Sequence, residues 1–157
     1  MIPFAPPRID DKIIAAVTET LKSGWITTGP RTKQFEREIT DYCKCKATLC
    51  LNSATAGLEI MLRWLGVGEG DEVILPAYTY SATANVVMHV GATPVFVDVN
   101  ADDFNINIAN IKQAINENTK VIMPVDFGGF PCDYDALNDL VNSTEIKTLF
   151  RADCENQ

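Results

Sequence analysis

Between residues 47 and 125, four short apolar runs alternate with segments of helical periodicity. The runs are Ala47 to Leu51, Glu72 to Leu75, Pro94 to Val99 and Lys120 to Val125. Strands that alternate with helical crossovers commit a chain to an α/β fold, a mostly parallel sheet with helices on both faces. The intervening stretches 54–65, 81–90 and 108–115 read as helices, and 133–142 follows the last run as another. The first of them carries Leu58, Met61, Leu62 and Leu65 on one face. Ligands of such sheets sit beyond the carboxyl ends of the strands, where helices begin. That rule singles out three loops: 52–56, 76–80 and 126–133.

The preceding segment has a different character, so the chain divides into residues 1–46 and 47–157. Residues 1–9 are proline-rich and extended. Ile13, Ile14, Val17 and Leu21 recur at helical spacing from Asp10 to Lys22, and Ser23-Gly24 ends that helix. Trp25-Ile26-Thr27-Thr28-Gly29-Pro30 is a loop with two hydroxyls. Phe35, Ile39, Tyr42 and Cys43 mark a second amphipathic helix from Thr32 to Lys44, with Thr32 as the expected N-cap.

Charge and cysteine usage narrow the partners. Among 157 residues, 13 Lys and Arg face 21 Asp and Glu, a net charge of −8. With no basic run either, a nucleic-acid footprint is not expected. No apolar stretch is long enough to span a membrane, and the N-terminus lacks the charged head and apolar body of a secretory signal. A cytoplasmic location is therefore expected. The five cysteines are odd in number and suit reduced thiols. Cys43 and Cys45 resemble half a metal site, but no second close pair exists and His89 is the sole histidine, so no metal is expected.

The three loops differ in what they offer. Asn52-Ser53-Ala54-Thr55-Ala56-Gly57 joins an apolar run to a helix through small and hydroxylated residues. Free amides at a helix N-terminus attract an anion, most naturally a phosphate, although Asn52 or Ser53 could equally be a plain cap. The cluster from Gly66 to Gly70 lies between a helix and a strand, the reverse of a dinucleotide fingerprint, and reads as a helix-ending turn. Pro76-Ala77-Tyr78-Thr79-Tyr80 places two aromatic rings near the first loop, either to stack on a flat ligand or simply to pack. In the third loop Gly128-Gly129 permits positive φ, Asp133 reads as a helix cap, and Asp126 receives no role.

In order along the chain, Ser23-Gly24-Trp25-Ile26-Thr27-Thr28-Gly29-Pro30, Asn52 to Gly57, Gly68-Glu69-Gly70-Asp71-Glu72-Val73-Ile74-Leu75-Pro76, Gly91 to Val99 and Gly129-Phe130-Pro131-Cys132-Asp133 resemble the N-terminal part of the DegT/StrS-type nucleotide-sugar aminotransferases. The resemblance covers residues 2–140. It implies a partial large domain of the aspartate aminotransferase fold (fold type I), preceded by two helices. It implies pyridoxal 5′-phosphate (PLP) as cofactor, with Ala54, Thr55 and Ala56 around its phosphate and Tyr80 stacked on its ring. Trp25, Ile26, Thr27 and Thr28 would belong to a segment closing over the nucleotide-sugar substrate, often across a homodimer interface. The family serves polysaccharide and antibiotic-sugar biosynthesis, with an amino donor such as glutamate.

Two family elements are not matched in these residues. The family tethers PLP through a lysine about midway along a chain more than twice this length. None of the eight lysines (12, 22, 33, 44, 46, 112, 120 and 147) sits in such a motif, so no catalytic residue is assigned. An aspartate must also pair with the pyridinium nitrogen. Ala152-Asp153-Cys154 echoes that motif, but the residues before it are not a buried strand, and the stretch reads as a connector. The chain is thus expected to be a portion of a sugar aminotransferase, inactive alone. The rival expectation is a non-catalytic truncated paralogue that binds a partner or a phosphorylated ligand.

Overall fold

The computed structural model describes residues 5–147. The described residues form two compact units, with the boundary between Cys50 and Leu51.

The first unit holds α1 (Asp11–Lys22) and α2 (Pro30–Cys43). Asp10 caps α1, its carboxylate accepting from the amides of Lys12 and Ile13. Helix α2 begins two residues earlier than expected. Pro30 occupies its first turn behind an extended Gly29, and Thr32 lies inside the helix instead of capping it. Proline lacks the amide that would go unpaired there, so it starts a helix without a side-chain cap. Arg31 pairs with Glu19 and ties α2 to α1. The only buried residue described in this unit is Glu36, whose carboxylate accepts from Lys33 Nζ at 2.8 Å and from the Cys50 amide at 3.0 Å. These donors, led by Lys33, hold the Glu36 carboxyl below its ordinary range.

The expected strand at Ala47–Leu51 does not form. The stretch is apolar, but a strand needs a neighbour for its backbone groups, and no described segment pairs with it. The Cys50 amide turns instead to Glu36, and Leu49 is exposed.

The second unit is a three-layer α/β structure. Three parallel strands, β1 (Glu72–Pro76), β2 (Thr93–Val97) and β3 (Thr119–Ile122), lie in the order β2-β1-β3. Helices α3 (Ala54–Trp64), α4 (Ala82–His89), α5 (Ile108–Ala114), α6 (Tyr134–Asn142) and α7 (Thr144–Lys147) complete it. The side chains of β1 alternate between two cores, as strand pleating requires. Val73 and Leu75 join Leu62 of α3 and Val86 and Val87 of α4 on one face. Ile74 joins Ile111 of α5 and Leu137 of α6 on the other. The strand is buried on both sides, which is why it reads as an unbroken apolar run.

The β1–β3 register slips by one residue after Glu72, and Lys120 is the extra residue. Its side chain is 3 % exposed, lies 3.7 Å from Asp71 and donates to the Gly66 carbonyl at 3.0 Å. Asp71 in turn accepts from the Gly68 amide. The bulge therefore pins the turn between α3 and β1, which is the glycine-rich turn expected there.

Candidate cofactor-binding site

Helix α3 leads into β1 through a reversing turn, and α4 follows β1 directly. Both helices pack on the same face of the sheet. Their N-termini therefore lie toward the carboxyl end of β1, the ligand-binding end of such sheets. At α3, Ser53 is the cap: its hydroxyl accepts from the Ala56 amide at 3.1 Å. The amides of Ala54 and Thr55 belong to the first turn, where no preceding carbonyl can serve them. Ala54, Ala56 and Gly57 keep side chains away from the backbone. A Cβ on Gly57 would stand 3.1 Å from Leu51 Cδ1. Two first-turn amides, the helix dipole and the Thr55 hydroxyl form a donor set that fits a phosphate monoester.

The two tyrosines of the next loop separate. Tyr78 packs against Phe104 and Phe127, with ring centroids 5.7 and 5.0 Å away, and Phe104 and Phe127 lie 5.4 Å apart. Tyr80 is 79 % exposed, leaving its ring available for stacking. Its carbonyl accepts from the Thr83 amide at the start of α4. One tyrosine thus packs, and the other is exposed to solvent.

The third loop is built on the two glycines anticipated for positive φ: Gly128 has φ 61° and Gly129 φ 83°. Asp133 caps α6 through the Ala136 amide, as its position suggested. Asp126, given no role from the sequence, anchors the loop. Its carboxylate accepts from the Cys132 amide and the Tyr134 hydroxyl, both at 2.9 Å. These two donors, the amide first, hold its carboxyl below the ordinary range. Burial pushes the Cys132 thiol up, and Asp126 beside it adds to the effect.

Sequence reasoning also missed Asn105, which is 3 % exposed. Its side chain serves the backbone of the third loop at three points, and nothing in its local pattern distinguishes it from the neighbouring asparagines. His89 has a structural partner: its Nδ1 lies 3.0 Å from Glu59, which also binds Arg63. Asp153 lies outside the described residues. Among the described residues, no three His, Cys, Asp or Glu side chains converge as for a metal ion. No described helix is long and apolar enough to cross a membrane.

Trp25, Ile26, Thr27 and Thr28 belong to the first unit, apart in sequence from the N-terminus of α3. Trp25 Nε1 donates to the Thr28 carbonyl at 3.2 Å, folding the loop on itself. Any Cβ at Gly29 would collide with the indole, 2.3 Å from Nε1. Trp25, Ile26 and Thr27, with Thr20, Ser23 and Arg31, line an open cleft of about 450 Å³.

Known proteins resemble this chain in sequence and in fold. The chain is 43 % identical over 136 residues to the spore coat polysaccharide biosynthesis protein SpsC of Bacillus subtilis, covering 87 % of this chain and 35 % of that protein. It is 45 % identical over 148 residues to the UDP-4-amino-4-deoxy-L-arabinose–oxoglutarate aminotransferase of Shewanella sediminis, covering 94 % of this chain and 38 % of that one. Its fold superposes on the sugar aminotransferase Spr1654 of Streptococcus pneumoniae, described there as putative, with a TM-score of 0.92 and 52 % identity, over 98 % of this chain and 38 % of that one. Spr1654 has been solved in PLP and PMP (pyridoxamine phosphate) forms. The chain thus spans little more than a third of the length of these relatives and corresponds to their N-terminal portion. Residues 7–154 match the family profile, and the chain belongs to the DegT/DnrJ/EryC1/StrS aminotransferase family.

Proposed function

We propose that this chain supplies the phosphate cup and the stacking ring of a PLP-dependent aminotransferase acting on a keto sugar carried by a nucleotide. The observation that carries this reading is the N-terminus of α3, where the amides of Ala54 and Thr55 have no intrahelical partner and the side chains around them are small. Ala54, Thr55 and Ala56 would hold the phosphate, and Tyr80 would cover one face of the pyridine ring. When bound, PLP supplies an electron sink that stabilises negative charge at the carbon undergoing amino transfer. Residues of this chain orient that sink. The helix dipole and first-turn amides fix the phosphate end, and the tyrosine fixes the ring plane. Trp25, Ile26, Thr27 and Thr28 would contact the substrate and exclude water. Glutamate or a similar amine would serve as donor, and a homodimer would complete the assembly.

No lysine here carries a family-like motif, so the chain alone should bind PLP reversibly and should not transfer amino groups. A PLP titration followed by visible absorbance, then borohydride reduction and intact mass, tests this. Saturable binding weakened by Tyr80→Ala, with no stoichiometric adduct, is the expected result. Absence of saturable binding overturns the cofactor role. A single lysine trapped stoichiometrically overturns the assignment of the lysines.

A second reading rests on α1, which buries no residue and exposes Ile13, Ile14, Val17 and Leu21 along one stripe. A non-catalytic chain could use that stripe to bind a polypeptide carrying the remaining length of the family fold. Sedimentation would show a stable complex with such a polypeptide and no dependence on PLP.

A further inference from the structure

We infer that Asn105 is a positioning residue for the ligand-stacking loop, acting through the Phe127 and Tyr78 rings. This rests on the reading that Tyr80 stacks on a flat cofactor ring.

The argument starts in the segment that follows β2. Residues 98–107 fold back on themselves: Asn100 N donates to the Asn105 carbonyl, Asn107 N to the Asp98 carbonyl, and Val99 bridges Ile106. Asp103 accepts from the Asn105 amide at 2.8 Å and from Asn100 Nδ2 at 3.1 Å. Asn107 Nδ2 donates to Asn100 Oδ1 and its own Oδ1 caps α5. This mesh holds Phe104 in the left-handed region, φ 62°, which a phenylalanine adopts only when its surroundings impose it.

The rigid segment presents two side chains to its neighbours. Asn105 is buried, and its amide is fully used on the third loop. Oδ1 accepts from the Phe127 amide at 3.1 Å, while Nδ2 donates to the carbonyls of Phe130 and Pro131 at 3.2 and 3.0 Å. One planar group therefore fixes both ends of a turn whose two glycines impose no conformation of their own. Phe104 places its ring on both Phe127 and Tyr78. Phe127 closes the triangle with Tyr78, two residues before Tyr80. The route from Asn105 to the stacking ring is thus one hydrogen bond, one ring contact and two peptide units.

Two variants and three kinds of readout test the inference. In Asn105→Leu, amide hydrogen exchange at Phe127 should accelerate about tenfold or more, as expected when a buried bond is lost. Exchange at Thr83, whose amide binds the Tyr80 carbonyl, should accelerate with it, and near-ultraviolet dichroism of the ring triangle should fall. Phe127→Leu keeps the backbone bond but removes the ring. It should leave residue 127 protected, yet accelerate Thr83 and weaken PLP binding to a similar degree as Asn105→Leu. The inference is overturned if Thr83 exchange is unchanged in Phe127→Leu, or if Asn105→Leu loosens residue 127 alone. If the wild-type chain binds no PLP, the cofactor reading fails while Thr83 exchange still decides the positioning role. If PLP binds equally to all three proteins while Thr83 accelerates, Asn105 orders the loop without serving the ligand, and the inference is likewise overturned.

Discussion

Leu62 is the one fully buried residue of α3, 1 % exposed, and it sits among Val73 and Leu75 of β1 and Val86 and Val87 of α4. Replacing it with alanine removes three carbons from a space whose walls belong to three different elements. Leucine-to-alanine changes in cores cost about 2–5 kcal/mol, the larger values arising where the walls cannot close in. Walls fixed by a sheet and two helices relax little, so a loss of about 3–4 kcal/mol is expected here. With a urea slope of about 2 kcal/mol per molar, the midpoint should fall by about 1.5–2 M at unchanged slope. Circular dichroism across a urea titration measures this. Ile60→Ala, on the exposed side of the same helix, is the control and should shift stability by no more than about 0.5 kcal/mol. If the N-terminus of α3 holds a phosphate as proposed, Leu62→Ala should also weaken binding of inorganic phosphate and PLP at urea concentrations well below the midpoint. Equal midpoint shifts for the two variants would refute the packing described for α3.

Other perturbations separate the remaining contributions. Ser53→Ala removes the cap of α3 and should cost about 1 kcal/mol in a thermal melt. Tyr80→Ala should weaken PLP binding while leaving the melting temperature within a degree or two, because the ring is exposed. Glu59 is held below its ordinary 4.5 by hydrogen bonds from Arg63 and then His89. A depressed carboxylate contributes stability above its unfolded value, and that contribution is lost as pH falls through the folded one. Melting temperature should therefore drop on acidification below about pH 4.5, and Glu59→Gln should flatten that limb. Lys120→Met strands Asp71 beside a bulge and should destabilise by about 2 kcal/mol, with Asp71→Asn in the same chain restoring part of the loss in a double-mutant cycle.

What could be read from the sequence follows the range of the interactions involved. Helices α3 and α6 were legible because their apolar spacing and caps are local, as Ser53 and Asp133 show. The three paired strands were legible as apolar runs buried on both faces. The run 47–51 misled because apolar composition states that a segment avoids water, and says nothing about whether a neighbour exists to pair with it. Thr32 misled because Pro30 offered a different way to begin the helix. Asn105 and Asp126 were invisible for another reason. The partners of Asn105 lie 22 to 26 residues away, and those of Asp126 depend on a turn made by two glycines, so neither leaves a periodic mark.

The contact between Gly29 and Trp25 constrains how these positions can change over generations of mutation. A side chain at position 29 has no room while the indole lies across it. A residue larger than glycine at 29 therefore requires the indole at position 25 to swing aside or to be replaced by something smaller. The pair should drift as one unit, and a homologue bearing alanine or serine at the second position should lack tryptophan at the first or turn its ring away.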